Sequence, residues 1–259
     1  MISRSVPHTR VRSPLLDLVR LTRVVRRPTT GTEPVEVFAT ATDAPHLAAV
    51  GGSAALGICP DSPVRTRPLA PGSPPEDLAA ALRARTARIT LVSLPLGPGT
   101  EHRTRLLHEE LDRASEHGTL VIASGATPGP VAAHPWVLPV LSCAASGRAS
   151  WFVDQEPGAE PRGVFAPGED VPGPLGPATG NGVAAAVVAC TAALLWSLFP
   201  TARAAQLRSA LLIGATNPRR SGPPLLDAER AHEFLARYAQ TPRTDDRAEN
   251  PVRPRGPGC

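Results

Sequence analysis

Asp43, His46 and Thr179 are the residues whose types could together perform nucleophilic chemistry. A hydroxyl becomes a useful nucleophile only when a neighbouring base takes its proton and a third group orients that base. Thr179 precedes a long apolar segment by several residues, and the sequence around it offers no evident donor for an oxyanion. We therefore favour a structural interpretation, in which Asp43 is a turn or cap residue and His46 lies on a helix.

A metal site is the second chemistry to consider, since His102, His108, Glu109 and His117 lie close together in the sequence. Their spacings of six, one and eight do not place three ligands on one face of a helix, so we interpret them as helix surface residues. The chain has no lysine, and its glycine-rich segments therefore lack the lysine of a phosphate-binding loop. The sequence predicts neither a metal nor another cofactor.

The hydrophobic pattern predicts strands that alternate with helices. The strands are apolar throughout rather than at every second residue, which is typical of a mostly parallel sheet covered on both faces. The predicted strands are 35–40, 64–69, 89–94, 120–123, 137–143 and 163–166. The predicted helices are 13–28, 48–58, 76–85, 102–117, 183–198, 202–213 and 226–239.

Length and composition indicate one domain with two tails. The chain has 259 residues, of which 42% are hydrophobic, enough for a full core. The 31 prolines and 22 glycines of the whole chain predict long loops and a disordered segment. We expect a flexible N-terminus at 1–12, one domain at 13–240 and a disordered tail at 241–259, a segment without hydrophobic periodicity. The four cysteines form no paired motif and the early arginines precede no signal-peptide core, so a reduced, cytoplasmic protein is expected.

Charge and hydropathy also limit the partners. Arginines are concentrated in residues 1–27, but aromatic residues that could stack on bases are scarce at 3%, so we expect a solvated surface and no nucleic acid. Residues 183–200 approach the length of a membrane span. They are rich in alanine and end at Pro200, so we expect a buried helix and no membrane contact.

Several segments occur in the order found in one known family. They are GICPDSPVRTRPL (57–69), ITLVSLPLGPG (89–99), TLVIASGA (119–126), HPWVLPVLSCAASGR (134–148), VFAPGEDV (164–171), PATGNGVAAAVVACTAALLWSLFP (177–200) and PPLLDAERA (223–231). From about residue 13 to 238 the chain resembles the subtilases, the subtilisin-like peptidases of family S8, and is most similar to cyanobactin-type maturation proteases of ribosomal peptide biosynthesis. The resemblance implies an α/β, subtilisin-like three-layer fold with a mostly parallel central sheet.

The resemblance also implies a pseudoprotease, because none of the four catalytic positions keeps its group. Ala41 falls at the aspartate, Pro45 at the histidine, Ala126 at the oxyanion asparagine and Gly182 at the nucleophilic serine, or Gly180 if the register shifts by two residues. His46 is one residue out of register, which on a helix turns its side chain by about 100 degrees. The aspartate and histidine elements nearly abut, so the fold is expected to be truncated near its N-terminal side.

The resemblance also implies a site at which an extended peptide binds as an added strand, because such backbone pairing needs no catalytic side chains. The residues expected to bind it are Leu94, Leu96, Gly97, Pro98, Gly99, Ala123, Ser124 and Gly125, with Trp151 at the rim of the cleft. The implied function is binding of a precursor peptide, or of an active subtilase partner, and the truncation would expose apolar surface that a homo- or hetero-oligomer could cover. The alternatives are a serine-type peptidase subunit that is active only as a composite site with a partner chain, and a folded stabiliser with no peptide role.

Overall fold

The protein is described by a computed structural model over residues 13–27, 29, 31–125, 129–153, 162–215 and 223–240. The predicted flexible N-terminus at 1–12 and the predicted tail at 241–259 lie outside these residues. The described strands are β1 (Val35–Ala39), β2 (Val64–Pro68), β3 (Ile89–Ser93), β4 (Leu120–Ser124), β5 (Leu138–Cys143) and β6 (Val164–Pro167). The described helices are α1 (Pro14–Leu18), α2 (Leu21–Val25), α3 (Ala44–Ala49), α4 (Pro75–Arg83), α5 (Glu101–Glu116), α6 (Asn181–Leu198), α7 (Ala204–Gly214) and α8 (Ala228–Gln240).

The six strands form one sheet in the order β2-β1-β3-β4-β5-β6, and every pairing in it is parallel. Five of the six strands are buried almost throughout, and β2, an outer strand of the sheet, is partly exposed. This confirms the prediction from continuous apolar strands. Because all strands run the same way, their carboxyl ends lie along one edge of the sheet and their amino ends along the other.

Helices cover both faces of the sheet in three layers. On one face Phe38 and Val121 pack with Leu78 of α4 and Leu111 of α5. On the other face the neighbouring strand residues, such as Val37 and Ile122, pack with α6 and with the remaining helices. Successive strand residues thus contribute to opposite layers, as the pleat of a strand requires. The predicted α/β three-layer architecture is confirmed.

Helix α6 runs through the larger of the two hydrophobic layers. Nearly all of its residues from Val183 to Trp196 are buried, and the Trp196 indole Nε1 donates a hydrogen bond to the Ala202 carbonyl at 2.9 Å. Among the described residues α6 is the one helix long and apolar enough to cross a membrane, and 78% of it is buried inside the protein. Its apolar character therefore serves packing against the sheet and the helices around it.

The predicted single helix at 13–28 is wrong, because two short helices, α1 and α2, occupy this segment. Arg20 separates them in a left-handed conformation with a φ of 52°. This reversal lets Val19 and Leu21 both become fully buried. It also brings the Val19 carbonyl to the backbone N–H of Ala228 at 3.0 Å, which ties the segment to the start of α8.

The predicted helix at 48–58 is also wrong, since α3 ends at Ala49 and turns follow. Glycine disfavours helix, and two glycines occur here in succession. Gly51 has a packing role as well: a Cβ on it would lie 2.6 Å from Cys190 Sγ on α6 and 2.8 Å from Cys59 Sγ. Because α3 ends at Ala49, the backbone at Gly51 can approach α6 closely.

His134 provides a test of the fold through pH. The side chain is 3% exposed, and its Nε2 lies 3.3 Å from Asp112 Oδ1 while its ring contacts His108. Burial lowers the pKa of His134, as do His108 and Arg162, whereas Asp112 opposes the shift. The unfolded chain therefore binds a proton more readily than the folded one, so stability that is fully present above the unfolded pKa of about 6.5 is lost as the pH falls from that value through the lower pKa of the folded state.

We expect His134→Gln to flatten this pH dependence, since it removes the titrating group. The measurement is the free energy of unfolding by urea at pH 7.5 and pH 5.5, about one unit to either side of the unfolded pKa. His102→Gln, a change of an exposed histidine on α5, is the control and should keep the wild-type difference. An equal difference in all three proteins would show that His134 does not carry the acid sensitivity.

Candidate functional site

The start of helix α6 lies at the carboxyl edge of the sheet and is held there by two hydrogen bonds to the neighbouring strand ends. The Gly180 N–H donates to the Gly168 carbonyl at 2.8 Å, just beyond β6. The Ser142 N–H of β5 donates to Asn181 Oδ1 at 2.8 Å, and Ser142 Oγ is 2.7 Å from Ser150 Oγ. The first turn of α6 is thus fixed against the ends of β5 and β6.

Gly182 is the glycine of this turn that faces the neighbouring elements. A Cβ built on it would overlap Ser93 Oγ at the end of β3 and would lie 3.4 Å from Leu47 Cδ2 of α3. Gly180, the alternative position, precedes the helix with a φ of 150°, which side chains rarely adopt, and a Cβ there would have no neighbour nearer than 4.0 Å. Only Gly182 therefore has the surroundings of a position packed between β3 and α3.

Helix α3 presents a leucine to Gly182. Pro45, at the position that the resemblance assigns to histidine, is exposed. His46 lines a small cleft with Val50 and the loop at 171–176, on another side of α3. Leu47 is 4% exposed and is the α3 side chain that approaches Gly182. The sequence analysis missed Leu47, although the 100° rotation per helical residue was the signal that could have found it.

The residues considered for a rearranged catalytic group have other partners. Asp43 Oδ2 accepts a hydrogen bond from Thr40 Oγ1 at 2.8 Å, and the Asp43 N–H donates to the same hydroxyl at 3.1 Å. Thr179 Oγ1 accepts from the Asp170 N–H at 2.9 Å. The prediction of Asp43 as a turn residue is confirmed, and no hydrogen bond within the described segments joins Asp43, His46 and Thr179.

The positions that the resemblance assigns to the aspartate and to the oxyanion asparagine are Ala41 and Ala126, and the structure describes only the first of them. Ala41 is exposed in the turn between β1 and α3. Ala126 lies outside the described residues, and the residue before it, Gly125, donates its N–H to the Val140 carbonyl at 2.8 Å.

The predicted peptide-binding segment 94–99 has one side occupied by the chain itself. The Gly72 N–H donates to the Pro95 carbonyl at 3.0 Å, and the Gly97 N–H donates to the Ser73 carbonyl at 2.9 Å. Both hydrogen bonds join residues 95 and 97 to residues 72 and 73, so this side of the segment is already paired. The side chains of Leu94 and Leu96 are half-buried on the layer that contains α4 and α5.

Trp151 lies further along the same edge, next to β5. It is 87% exposed and packs edge-on against Phe152 with ring centroids 5.4 Å apart. The preceding residue, Ser150, is anchored to Ser142 of β5 through its N–H as well as its hydroxyl. A large aromatic side chain is therefore exposed next to a residue that is anchored to β5.

The histidines considered as metal ligands bind different partners. His108 Nε2 is 2.9 Å from the Pro130 carbonyl oxygen, and His117 Nδ1 is 2.7 Å from the Arg113 carbonyl oxygen. His102 Nδ1 is 3.0 Å from an Arg105 guanidinium nitrogen. The described residues contain no group of three or more His, Cys, Asp or Glu that could hold a metal ion.

Solved structures with this architecture define the class of fold. The PatG macrocyclase in complex with peptide aligns with a TM-score of 0.71 at 17% identity, over 88% of this chain and 99% of the other. The prenylagaramide maturation protease PagA aligns with a TM-score of 0.66 at 22% identity, over 86% and 99%. The MycP1 protease, with its N-terminal propeptide removed, aligns with a TM-score of 0.65 at 18% identity, over 86% and 97%.

The fold is therefore subtilisin-like, and the chain is structurally similar to subtilase-family proteases that include maturation proteases for cyanobactins. No protein-family model and no curated protein matches the sequence. Because the sequence identity to these structures is only 17–22%, the structural similarity establishes the fold alone.

The contact between Gly72 and Gly97 can be tested by adding one methyl group. A Cβ on Gly97 would overlap the Gly72 carbonyl oxygen and lie 3.1 Å from its carbon, so backbone would have to move. We expect Gly97→Ala to lower the free energy of unfolding by about 1–3 kcal/mol. Gly52→Ala is the matched control, because its Cβ would meet nothing nearer than 3.3 Å. Equal urea midpoints for the two variants would contradict the close pairing of these segments.

Proposed function

We propose that this protein is a non-catalytic, subtilisin-like subunit that binds a precursor peptide or an active subtilase partner during the maturation of a ribosomally made, modified peptide. The observation that carries the proposal is Gly182. It offers no side chain at the start of α6, and Ser93 and Leu47 fill the space that a side chain would occupy. Acyl transfer requires an activated nucleophile in such a position.

The surroundings of Gly182 support the same proposal. Leu47 brings an apolar side chain to the turn, and an alkyl group cannot accept the proton that a base must take. His46, the one nearby imidazole on α3, faces the loop at 171–176. Restoring a hydroxyl alone would therefore leave it without a base.

Peptide binding is the role that fits the remaining features of this edge. The PatG macrocyclase, which is similar in fold, was solved in complex with a peptide. In this chain residues 72 and 73 pair with one side of segment 94–99, so a peptide strand would add on the Leu96 side, between that segment and the end of β4. Trp151, nearby and exposed, would supply a large contact area at little cost in conformational entropy. The client and the protein would meet in the cytoplasm, and no cofactor is needed for this role.

Loss of hydrolysis can be tested with a serine-directed fluorophosphonate probe. We expect neither the wild-type chain nor Gly182→Ser to be labelled, because the variant gains a hydroxyl but no base. An active subtilisin, treated in parallel, is the positive control. Labelling of the purified wild-type chain, mapped to one of its own residues by mass spectrometry, would overturn the proposal.

Peptide or partner binding can be tested with the tagged full chain recovered from its producing cells. We expect an intact subtilase or a modified precursor peptide to be retained, as identified by mass spectrometry. Trp151→Ala should reduce the retained amount by about tenfold, the effect of losing a central aromatic contact. Trp136→Ala, a change of a tryptophan that is half-exposed, is the control. Retention of neither client by the wild-type chain, or equal retention by both variants, would contradict the proposal.

A composite peptidase is the second candidate, and the position of Ser93 favours it. The Ser93 hydroxyl lies in the space next to Gly182, so a partner chain that supplied a base there would find an oxygen nucleophile in this chain. The fluorophosphonate would then label the complex, the label would map to Ser93, and Ser93→Ala would abolish it. An unlabelled complex would leave the non-catalytic role as the function of this edge.

A further inference from the structure

An arginine-lined cleft lies at the amino edge of the sheet, opposite the edge that contains Gly182. It has a volume of about 460 Å³ and lies where α4 and α5 end and where β3 and β4 begin. This volume is in the range of pockets that hold small molecules or short peptide segments. The lining residues are Arg83, Arg85, Thr86, Ala87, Arg88, Glu110, Arg113, His117 and Thr119.

Positive charge is in excess in this cleft. The lining contains four arginines against one carboxylate, that of Glu110, and Arg88 is paired with Glu33 outside the lining, so Arg83, Arg85 and Arg113 leave an excess charge of +2. Glu110 is 2% exposed, and both Arg83 and Arg113 bind the same oxygen, Oε1. One buried carboxylate therefore fixes two guanidinium groups whose side chains are 65% and 53% exposed.

Arg83 and Arg113 keep capacity to bind a further anion. A guanidinium carries five N–H donors, and Glu110 takes two from Arg83 and one from Arg113. Because the exposed parts of both side chains face solvent, the remaining donors are accessible at the mouth of the cleft. The pairing with Glu110 holds them in place, which lowers the entropic cost of binding.

Arg85 is the second observation that indicates an anionic ligand. Its hydrogen bonds go to Thr119 Oγ1 at 3.0 Å and to the carbonyl oxygens of Leu82 at 2.9 Å and Arg113 at 3.4 Å. All three acceptors are neutral, and Arg85 forms no salt bridge within the described residues. Burial lowers its pKa, with Glu110 and Glu36 opposing the shift, so this cation has lost water without gaining a contacting carboxylate.

The geometry favours separate carboxylates over a compact phosphate. Phosphate sites are commonly built at helix N-termini, where backbone N–H groups converge on the ligand. Here α4 and α5 present their C-terminal ends, and the carbonyls of Leu82 and Arg113 lie in or beside the cleft. The negative end of a helix dipole disfavours a concentrated negative charge. Carboxylates spaced along a peptide can instead contact individual guanidinium groups at the surface.

We propose that this cleft binds an acidic peptide segment, whose Asp or Glu side chains pair with Arg83, Arg85 and Arg113. The site is distinct from the edge at Gly182 and does not depend on the function proposed for that edge. A client or partner that carries such a segment would thus be held at two opposite edges of the sheet.

The test uses fluorescein-labelled hexaglutamate and the full chain, with fluorescence anisotropy as the readout. We expect saturable binding at about 50 mM salt that weakens at about 300 mM, because charge pairing at a surface is screened. Labelled hexalysine should not bind. Inorganic phosphate should displace hexaglutamate no more effectively than sodium chloride does at the same ionic strength.

Two variants locate the site, and one control variant matches them. Arg113→Gln removes one charge while Arg83 remains on Glu110, and Thr86→Glu adds a carboxylate at an exposed position without removing an arginine. Each should weaken hexaglutamate binding about threefold or more. Arg105→Gln, a change of an exposed arginine nearer the start of α5, should bind like the wild type. Urea midpoints verify that all variants are folded.

Three outcomes would overturn the proposal. They are the absence of saturable binding by the wild type, wild-type affinity in both cleft variants, and displacement by phosphate well below its ionic-strength effect. Trp151→Ala should leave hexaglutamate binding unchanged. Failure at the amino edge is thereby distinguishable from failure of the function proposed at the carboxyl edge.

Discussion

The close packing of α6 against the sheet is the constraint on which the rest of this structure depends. A Cβ on Gly168 would lie 2.9 Å from the Ala184 Cβ and 2.7 Å from the Gly180 carbonyl oxygen. On its other side the helix meets Gly51 through Cys190. Small residues at each approach let a helix of 18 residues run through the core at short distance. The first turn of α6 therefore has a fixed position at the carboxyl edge, whatever residues that turn carries.

This constraint explains how the site can change while the fold persists. The position of Gly182 is set by backbone hydrogen bonds and by helix packing, neither of which requires a serine. Once a nucleophile is absent, a base has no proton to take, and an apolar residue such as Leu47 can fill the space and add to the core. The Ser93 hydroxyl lies where a side chain on residue 182 would begin, whereas Leu47 Cδ2 lies at van der Waals distance from that position.

Much of the architecture could be predicted from the sequence, and particular residues show why. The strands and α4 to α8 follow from long apolar patterns, because burial of such segments decides their conformation. Arg20 and Gly51 show where such reasoning fails. The break at Arg20 depends on contacts with α8, and the end of α3 depends on a contact with α6, both distant in the sequence. Helical rotation indicated that a neighbour of His46 would face the site, but the identity of that neighbour as Leu47 depends on its contact with Gly182, 135 residues away.

The two edges of the sheet differ in their chemistry because different helix ends lie over them. At the carboxyl edge α6 begins, and its surroundings there are the uncharged residues Gly182, Ser93 and Leu47. At the amino edge α4 and α5 end, and their exposed carbonyls attract arginines such as Arg85. Those arginines also stabilise buried carboxylates, since Glu36, which is fully buried in β1, binds Arg67 and the Thr86 N–H. A charged surface at this edge is thus a consequence of ending two helices over a parallel sheet.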